Sequence, residues 1–480
     1  MISPELSKWR FHHWPAIPFF YASAVVMYFL ASHFYDPGQR RFEFTQPEIF
    51  GGDEPHYLIM ISSISQGGGM SLGERYRSVR LGSLDAGRSR MGLNLDHHTL
   101  IQDVATGESH LWEQVFSMFT PMECPRNDPF CVGYARISEV FPGYSPVSPE
   151  YRELPKHPVP FPGLLGTLLR VWATRDSQLE TRAIYIQVFL SWLAGIVTYL
   201  CGRRAGLTPV ASVLATALVY YASPWLEYSH QLFPATFMGL LLITAFWAFL
   251  SKRIWLSAPL LAVAAMQSEA FVLVFAGWTL MLYFLNEKRA ALMFAAAGGL
   301  SLIATASLSH WLIGKASIRD MTFVLDPVLL WRTFIEPETG VLMFIPWSIA
   351  VFVFLALSFF LRKPEIRPVT GVLRMLAAGI VPVAAVYMIL PYTGQYCYGP
   401  RYWIPFVPWL ALALILGLKV LGLNLPEDKK YGRGIVMAVM VLVCVSAGVS
   451  AMMSIAAAAM APSETWHQPP WHALSALFHA

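Results

Sequence analysis

Apolar residues occur in long runs along most of the chain, and short polar or basic segments separate one run from the next. A helix of about 20 apolar residues can cross the roughly 30 Å hydrocarbon core of a bilayer. The pattern therefore predicts about eleven transmembrane helices, near residues 17–34, 182–201, 207–221, 231–250, 254–266, 270–285, 290–313, 341–361, 372–392, 402–423 and 434–459. The stretch 254–285 contains either two short helices or one long helix that bends at 267–269.

Basic residues cluster at alternate boundaries of these runs. The clusters are Lys8 and Arg10, Arg203 and Arg204, Lys252 and Arg253, Lys288 and Arg289, Arg362 with Lys363, Arg367 and Arg374, and Lys429, Lys430 and Arg433. Because short cytoplasmic loops are enriched in lysine and arginine, we expect these ends to be cytoplasmic. The N-terminus is then inside and the C-terminus outside. The alternative of a secretory signal peptide over 1–34 lacks a convincing small-residue cleavage site.

This pattern divides the chain into a first span with its cytoplasmic end at 1–34, an external loop domain at 35–181, a multi-span domain at 182–460 and an external tail at 461–480. The external loop domain is expected to contain short helices at 55–65 and 110–118. Its proline-rich stretch, 142–162, is expected to be extended and stiff. The expected fold is an all-α polytopic membrane protein with an α-containing external domain.

Composition supports a membrane location and reduces the number of function classes that fit the sequence. Hydrophobic residues make up 55% of the chain and charged residues 13%. The formal net charge of +4 is too small to indicate a nucleic-acid partner. No phosphate-binding GxxxxGK[ST] or dinucleotide motif occurs in the sequence. An internal repeat is missing too, which weakens the interpretation as a secondary transporter.

Two cysteines lie in the external loop domain. Cys124 and Cys131 are spaced closely enough to close a disulfide in an oxidising compartment. The other cysteines, Cys201, Cys397 and Cys444, are interpreted as small packing residues.

An acidic pair, Asp53 and Glu54, immediately precedes Pro55 at the start of a predicted helix just outside the first span. Carboxylates in this position can simply cap free backbone N–H groups and complement the helix dipole. The functional alternative makes Asp53 a general base, with Glu54 or His56 orienting it or helping to hold a metal ion.

Several motifs in fixed order resemble the landmarks of the bacterial GT-C glycosyltransferase superfamily, in its branch related to protein mannosyltransferases and lipid A aminoarabinose transferases. They are Asp53-Glu54; Lys156-His157-Pro158 leading to Phe161-Pro162-Gly163-Leu164-Leu165; Ser223-Pro224 with Tyr228-Ser229-His230-Gln231-Leu232-Phe233-Pro234; Thr339-Gly340-Val341-Leu342 with Ile345-Pro346; and Gly399-Pro400-Arg401-Tyr402. The resemblance covers residues 51–410, and the predicted topology puts each motif at or near the outer face.

The resemblance implies a GT-C-like fold and an inverting transfer of sugar from a polyprenyl-phosphate-linked donor. It implies an acidic base in the first external loop, which corresponds to Asp53 and less directly to Glu54. The acceptor would be a glycan, a lipid or a protein. The setting would be a bacterial inner membrane with the active site on the periplasmic side, in contact with membrane lipids and without a nucleic-acid partner.

A positive group near the leaving phosphate is the main electrostatic requirement of this chemistry. Arg401 is the first candidate, because Tyr398 and Tyr402 flank it and could contact a sugar or a lipid phosphate. Lys156 and His157 are the others. The structural alternatives are an interfacial arginine in an aromatic belt and a solvated loop, respectively.

Other polar residues are candidates for lining the cavity or contacting the acceptor: His56, Glu227, His230 and Glu269. Glu269 lies in an otherwise apolar stretch, where carboxylates usually face a cavity. A divalent cation shared by Asp53 with Asp96 or His97 is a further possibility, against the alternative of a simple surface loop.

Three other function classes remain open, and one of them is a structural or scaffolding membrane protein. A ligase or polymerase of O-antigen type would use a lipid diphosphate oligosaccharide and depend on arginine and histidine more than on a carboxylate. A secondary transporter would carry ionisable residues near the middle of several spans, whereas here they lie near the outer ends.

Overall fold

The computed structural model describes residues 16–36, 41–44, 54–73, 75, 99–111, 149–155, 157–172, 174–175, 178–313, 327–361, 363–389, 400–424, 430–460, 468–472 and 475. This part of the chain is mostly helical, with few strands, as an all-α membrane protein would be. Five of its helices are long and apolar enough to cross a membrane: Leu179–Arg204, Lys288–His310, Pro364–Tyr387, Arg401–Gly422 and Met437–Ala459.

Helices occur on every predicted apolar run. In chain order they are α1 (Ala16–Ser32), α2 (Glu54–Ser65), α3 (Pro160–Val171), α4 (Leu179–Arg204), α5 (Pro209–Tyr221), α6 (Trp225–Tyr228), α7 (Ala235–Leu250), α8 (Ile254–Gln267), α9 (Val272–Phe284), α10 (Lys288–Ile313), α11 (Pro327–Phe334), α12 (Val341–Phe344), α13 (Ser348–Ser358), α14 (Arg367–Tyr387), α15 (Val407–Asn424) and α16 (Lys430–Ala459). Short 3₁₀ helices cover Glu269–Phe271, Pro364–Ile366 and Arg401–Phe406.

The stretch 254–285 forms two helices, α8 and α9. Ser268 has an extended backbone, with φ −149° and ψ 115°, and therefore ends α8. The 3₁₀ helix Glu269–Phe271 follows and leads into α9. A second interruption, between α12 and α13, divides the predicted run 341–361 at Ile345–Trp347. Pro346 lies in this break, where no backbone N–H is required from it.

Strands form in the region between the first two predicted spans, in addition to the helix expected there. Strand β1 (His33–Asp36) pairs with β2 (Arg41–Phe44) as an antiparallel hairpin. Strands β3 (Thr99–Asp103), β4 (Ser109–Leu111) and β5 (Tyr151–Pro155) form an antiparallel sheet in the order β4-β3-β5. The helix predicted at 110–118 is wrong at its start, which belongs to β4, and the remainder lies outside the described residues.

The proline-rich stretch ends in a helix instead of continuing as an extended path to the membrane. Pro160 and Pro162 occupy the first turn of α3, where the missing N–H groups of proline have no intrahelical partner to lose. Helix α3 packs against α2 and also contacts α4 and α8. The Gln267 side chain at the end of α8 accepts a hydrogen bond of 2.8 Å from the backbone N–H of Phe161. These contacts join α2 to the helical bundle.

Basic side chains bind backbone carbonyl groups near helix ends in one region of the bundle. Arg204 Nε donates to the carbonyl of Leu250 at 3.3 Å, and Lys419 Nζ donates to that of Gly206 at 2.7 Å. Cations in this position complement the negative C-terminal end of a helix dipole. Since α5 starts close to Gly206 and runs away from it, the segment after α5 lies at the opposite end of the bundle.

Candidate functional site

A buried polar segment connects α5 to α7 at the end of the bundle opposite to Arg204 and Lys419. It comprises residues 223–234 and includes the single turn α6. Ser223 Oγ accepts a hydrogen bond of 3.2 Å from the N–H of Trp225 and thereby starts that turn. The segment carries an unusual number of buried polar side chains for a connection between apolar helices: Ser223, Glu227, Ser229, His230 and Gln231. It is the centre of the candidate site.

Glu54 reaches this segment from the first turn of α2. Its side chain is fully buried, and Oε1 accepts a hydrogen bond of 2.7 Å from the backbone N–H of Leu232. A hydrogen bond from a backbone amide to a carboxylate is charge-assisted and stronger than a neutral one. Glu54 therefore anchors the acidic end of α2 to the 223–234 segment, a role beyond capping its own helix.

Glu227 and His230 lie beside each other within the segment. Glu227 Oε1 accepts a hydrogen bond of 2.8 Å from Gln231 Nε2, and its Oε2 lies 3.8 Å from His230 Nε2. Burial raises the pKa of Glu227 well above its usual range; the Gln231 hydrogen bond opposes this shift and the charge of Glu54 adds to it. Burial also lowers the pKa of His230 to about 4, against a hydrogen bond with the Leu226 backbone. Burial therefore disfavours the charged form of both side chains.

Arg401 contacts the next residue of the same segment. Its guanidinium lies 4.6 Å from the centroid of the Phe233 ring, within the range of a cation–π interaction. The Phe233 carbonyl accepts a hydrogen bond of 2.9 Å from Gln187 of α4, which fixes the backbone below the ring. Tyr402 packs on Tyr387 with ring centroids 5.3 Å apart. Glu54 and Arg401 thus contact consecutive residues, Leu232 and Phe233.

Aromatic and histidine rings connect the start of α3 to the start of α2. The His157 ring stacks on His56, with ring centroids 5.4 Å apart, and lies 4.7 Å from the Tyr57 ring. Tyr57 in turn packs edge-on against Phe161 at 5.5 Å. Both histidines are buried. His56 and His157 therefore pack together at the start of α2, the helix whose first residue is Glu54.

Glu269 starts the 3₁₀ helix Glu269–Phe271, which lies between α8 and α9. Phe271, two residues later, packs against Phe406 with ring centroids 5.5 Å apart. Phe406 ends the 3₁₀ helix that starts at Arg401. Glu269 is partly exposed.

Several predicted residues lie outside the described part of the chain, and the predictions made for them stay predictions. They are Asp53, Asp96, His97, Cys124, Cys131, Lys156 and Tyr398. Among the described residues, no group of three or more histidine, cysteine, aspartate or glutamate side chains is arranged to hold a metal ion.

The sequence interpretation missed Gln231 as the partner of Glu227, and it missed the backbone amide of Leu232. Both lie in the motif Tyr228-Ser229-His230-Gln231-Leu232. The signal was present in the spacing, because Glu227 and Gln231 are four residues apart and such pairs meet on a helical turn. The partner of Leu232 depends on tertiary structure alone.

No protein-family model matches the chain, and a search of curated proteins finds no match either. The chemistry of these side chains therefore carries the functional assignment.

Proposed function

We propose that this protein is an inverting, GT-C-like glycosyltransferase of about eleven spans that uses a polyprenyl-phosphate-linked sugar as donor. The acceptor is a hydroxyl group of a glycan, a lipid or a protein, and transfer takes place at the periplasmic face of a bacterial inner membrane. The proposal rests mainly on one observation. Glu54, the residue after Asp53, and Arg401 contact the consecutive residues Leu232 and Phe233.

The two groups proposed for the reaction, the Asp53 carboxylate and the Arg401 guanidinium, suit its two halves. Asp53 takes the proton from the acceptor hydroxyl, whose oxygen attacks the anomeric carbon as the bond to the phosphate oxygen breaks. The lipid phosphate leaves as an anion without needing a strong acid, and the Arg401 guanidinium stabilises its charge. Attack on the face opposite to the leaving phosphate inverts the configuration at the anomeric carbon.

The remaining candidates support these roles. Glu54 holds the first turn of α2 against the 223–234 segment, and Asp53 is the residue before it in the sequence. Lys156 and His157, which precede α3 in the sequence, are proposed to add positive charge or hydrogen-bond donors. Tyr402, the residue after Arg401, and the partly exposed Glu269 are the side chains proposed to contact the sugar. Asp53, Asp96 and His97 are the residues proposed for a divalent cation, and no step is assigned to such an ion.

The test is transfer of labelled sugar from polyprenyl-phosphate donors in proteoliposomes, together with binding of undecaprenyl phosphate. Asp53→Asn should lower transfer by about 10² to 10⁴ without weakening lipid binding, because it removes the base and retains the shape. Arg401→Gln should weaken lipid binding. Glu287→Gln, an exposed residue of the α9–α10 turn, is the control.

Three results would contradict the proposal. Unchanged transfer by Asp53→Asn rules out the general-base role. Transfer only from a lipid diphosphate oligosaccharide indicates the ligase or polymerase class. Solute uptake by the proteoliposomes without any transfer indicates a transporter.

A further inference from the structure

Glu227 lies shortly before the two residues that contact Glu54 and Arg401 in the candidate site. Its bond to Gln231 closes a turn of the 223–234 segment. The next two residues, Leu232 and Phe233, are those that contact Glu54 and Arg401. A change in the Glu227–Gln231 bond would therefore move both contacts together.

No cation compensates the Glu227 carboxyl among the described residues. The nearest basic group there is His230, whose Nε2 lies 3.8 Å from Glu227 Oε2, too far for a hydrogen bond. Within the same described part, Oε2 has no hydrogen-bond partner, and the side chain is fully buried. A buried carboxylate without a paired charge is strongly disfavoured, so this geometry favours the neutral acid.

The neighbouring elements do not change this balance. Helix α2 contributes Glu54, whose charge raises the pKa of Glu227 further, and His56, whose ring stacks on His157. The Arg401 guanidinium lies against the Phe233 ring, and it is not among the groups that shift the pKa of Glu227. Helix α7 has no ionisable residue, and α5 has only Tyr220 and Tyr221. Helix α16 carries its basic residues in its first turns, at its other end, and its one cysteine is exposed.

We propose that Glu227 is a positioning residue that works as a protonated, uncharged acid. The hydrogen bond that it accepts from Gln231 fixes the Leu232 amide against Glu54 and the Phe233 ring against Arg401. These contacts exist whether or not the protein transfers sugars, so the proposal can be tested separately from the proposed function.

The first experiment uses infrared spectroscopy of the full-length protein in detergent at neutral pH. The difference spectrum between wild type and Glu227→Gln should contain the carbonyl stretch of one protonated carboxyl group. The difference spectrum between wild type and Glu287→Gln should lack it, because Glu287 is exposed. A Glu227→Gln difference spectrum without this band would overturn the protonated state.

The second experiment measures hydrogen exchange at the Leu232 amide by fragmentation mass spectrometry. Glu227→Gln keeps both the carbonyl acceptor and the neutral charge, so protection should equal that of wild type. Glu227→Ala removes the acceptor, and exchange should be roughly tenfold faster. Gln231→Ala removes the donor and should give the same increase, which keeps the test decisive if Glu227→Ala does not fold. Wild-type protection in either alanine variant would overturn the positioning role.

Discussion

At the scale of single residues, Glu54 is unusual because its carboxylate is fully buried inside an apolar bundle. Burying a carboxylate is costly unless strong hydrogen bonds satisfy it. The Leu232 amide supplies one such bond, at 2.7 Å. Removing the acceptor leaves a buried N–H group without its partner, and that loss is larger than the net value of the bond itself.

We therefore predict different effects for two substitutions at Glu54. Glu54→Ala should lower the free energy of unfolding by about 1–3 kcal/mol, because the Leu232 N–H loses its acceptor. Glu54→Gln keeps an acceptor oxygen in the same place and should cost less. Thermal unfolding in detergent measures both. Equal stability of the two variants would contradict the role of the acceptor.

The free energy of unfolding should depend on pH through His230. Its folded-state pKa of about 4 is below its ordinary 6.5, so between these values the unfolded chain binds a proton that the folded chain does not. His230 therefore contributes full stability above pH 6.5, and that stability is lost as the pH falls towards 4. The loss should be on the order of 3 kcal/mol.

The measurement is thermal unfolding of wild type and His230→Gln across that pH range. The difference between the two should change with pH in the direction set by the lowered pKa of His230. His472→Gln, which alters an exposed histidine, serves as control. A constant difference between wild type and His230→Gln would contradict the prediction.

At the scale of elements, local patterns predicted helices well and pairing between distant segments poorly. The stripe of Tyr57, Leu58, Met60 and Ile61 predicts α2 to within one residue of its observed start. The sheet could not be predicted, because β3 pairs with β5 about fifty residues later in the chain. The acidic pair identified the start of α2 as important, but only tertiary structure shows that Glu54 binds the Leu232 amide.

Close packing of α9 on α14 gives a prediction at this scale. A methyl group added at Gly277 of α9 would overlap the backbone carbonyl of Ala378 on α14. Glycine permits such close helix contacts in membranes. Gly277→Ala should therefore destabilise the protein by about 1–3 kcal/mol, because backbone cannot move aside as a flexible side chain does.

Gly371 of α14 provides the matched control, because an added methyl group there meets no atom within 4 Å. Gly371→Ala should raise helix stability by roughly 0.5–1 kcal/mol. Thermal unfolding in detergent tests the pair, and a stabilising effect of both substitutions would show that α9 and α14 are not in tight contact.

At the scale of the whole molecule, two long helices expose apolar faces, α10 and α16, and both are long and apolar enough to cross a membrane. Leu292, Leu300 and Ile303 on α10 are each more than 60% exposed. On α16, Met437 and Leu442 are exposed to a similar degree. Apolar patches of this extent are rare on soluble monomers and typical of surfaces that contact a membrane.

The sidedness of the molecule depends on how often the chain crosses between the sheet and the α9–α10 turn. With 14 and 13 residues, α8 and α9 are each only about 20 Å long, shorter than the hydrocarbon core. If both cross, or if they form a re-entrant pair that returns to the side it left, the turn between β3 and β4 and the turn at Asn286 lie on opposite sides. A single crossing by 254–285 would put them on the same side.

We predict opposite sides, with Thr106 external and Asn286 cytoplasmic. Both residues are exposed in turns, so Thr106→Cys and Asn286→Cys can be made in a variant whose five native cysteines are replaced. In right-side-out vesicles, a membrane-impermeant maleimide should label Thr106→Cys at once and Asn286→Cys only after permeabilisation. Labelling of both from outside would mean that 254–285 crosses once, and labelling of Asn286→Cys alone would reverse the orientation inferred from the basic residues. Labelling of both in detergent confirms that each thiol can react.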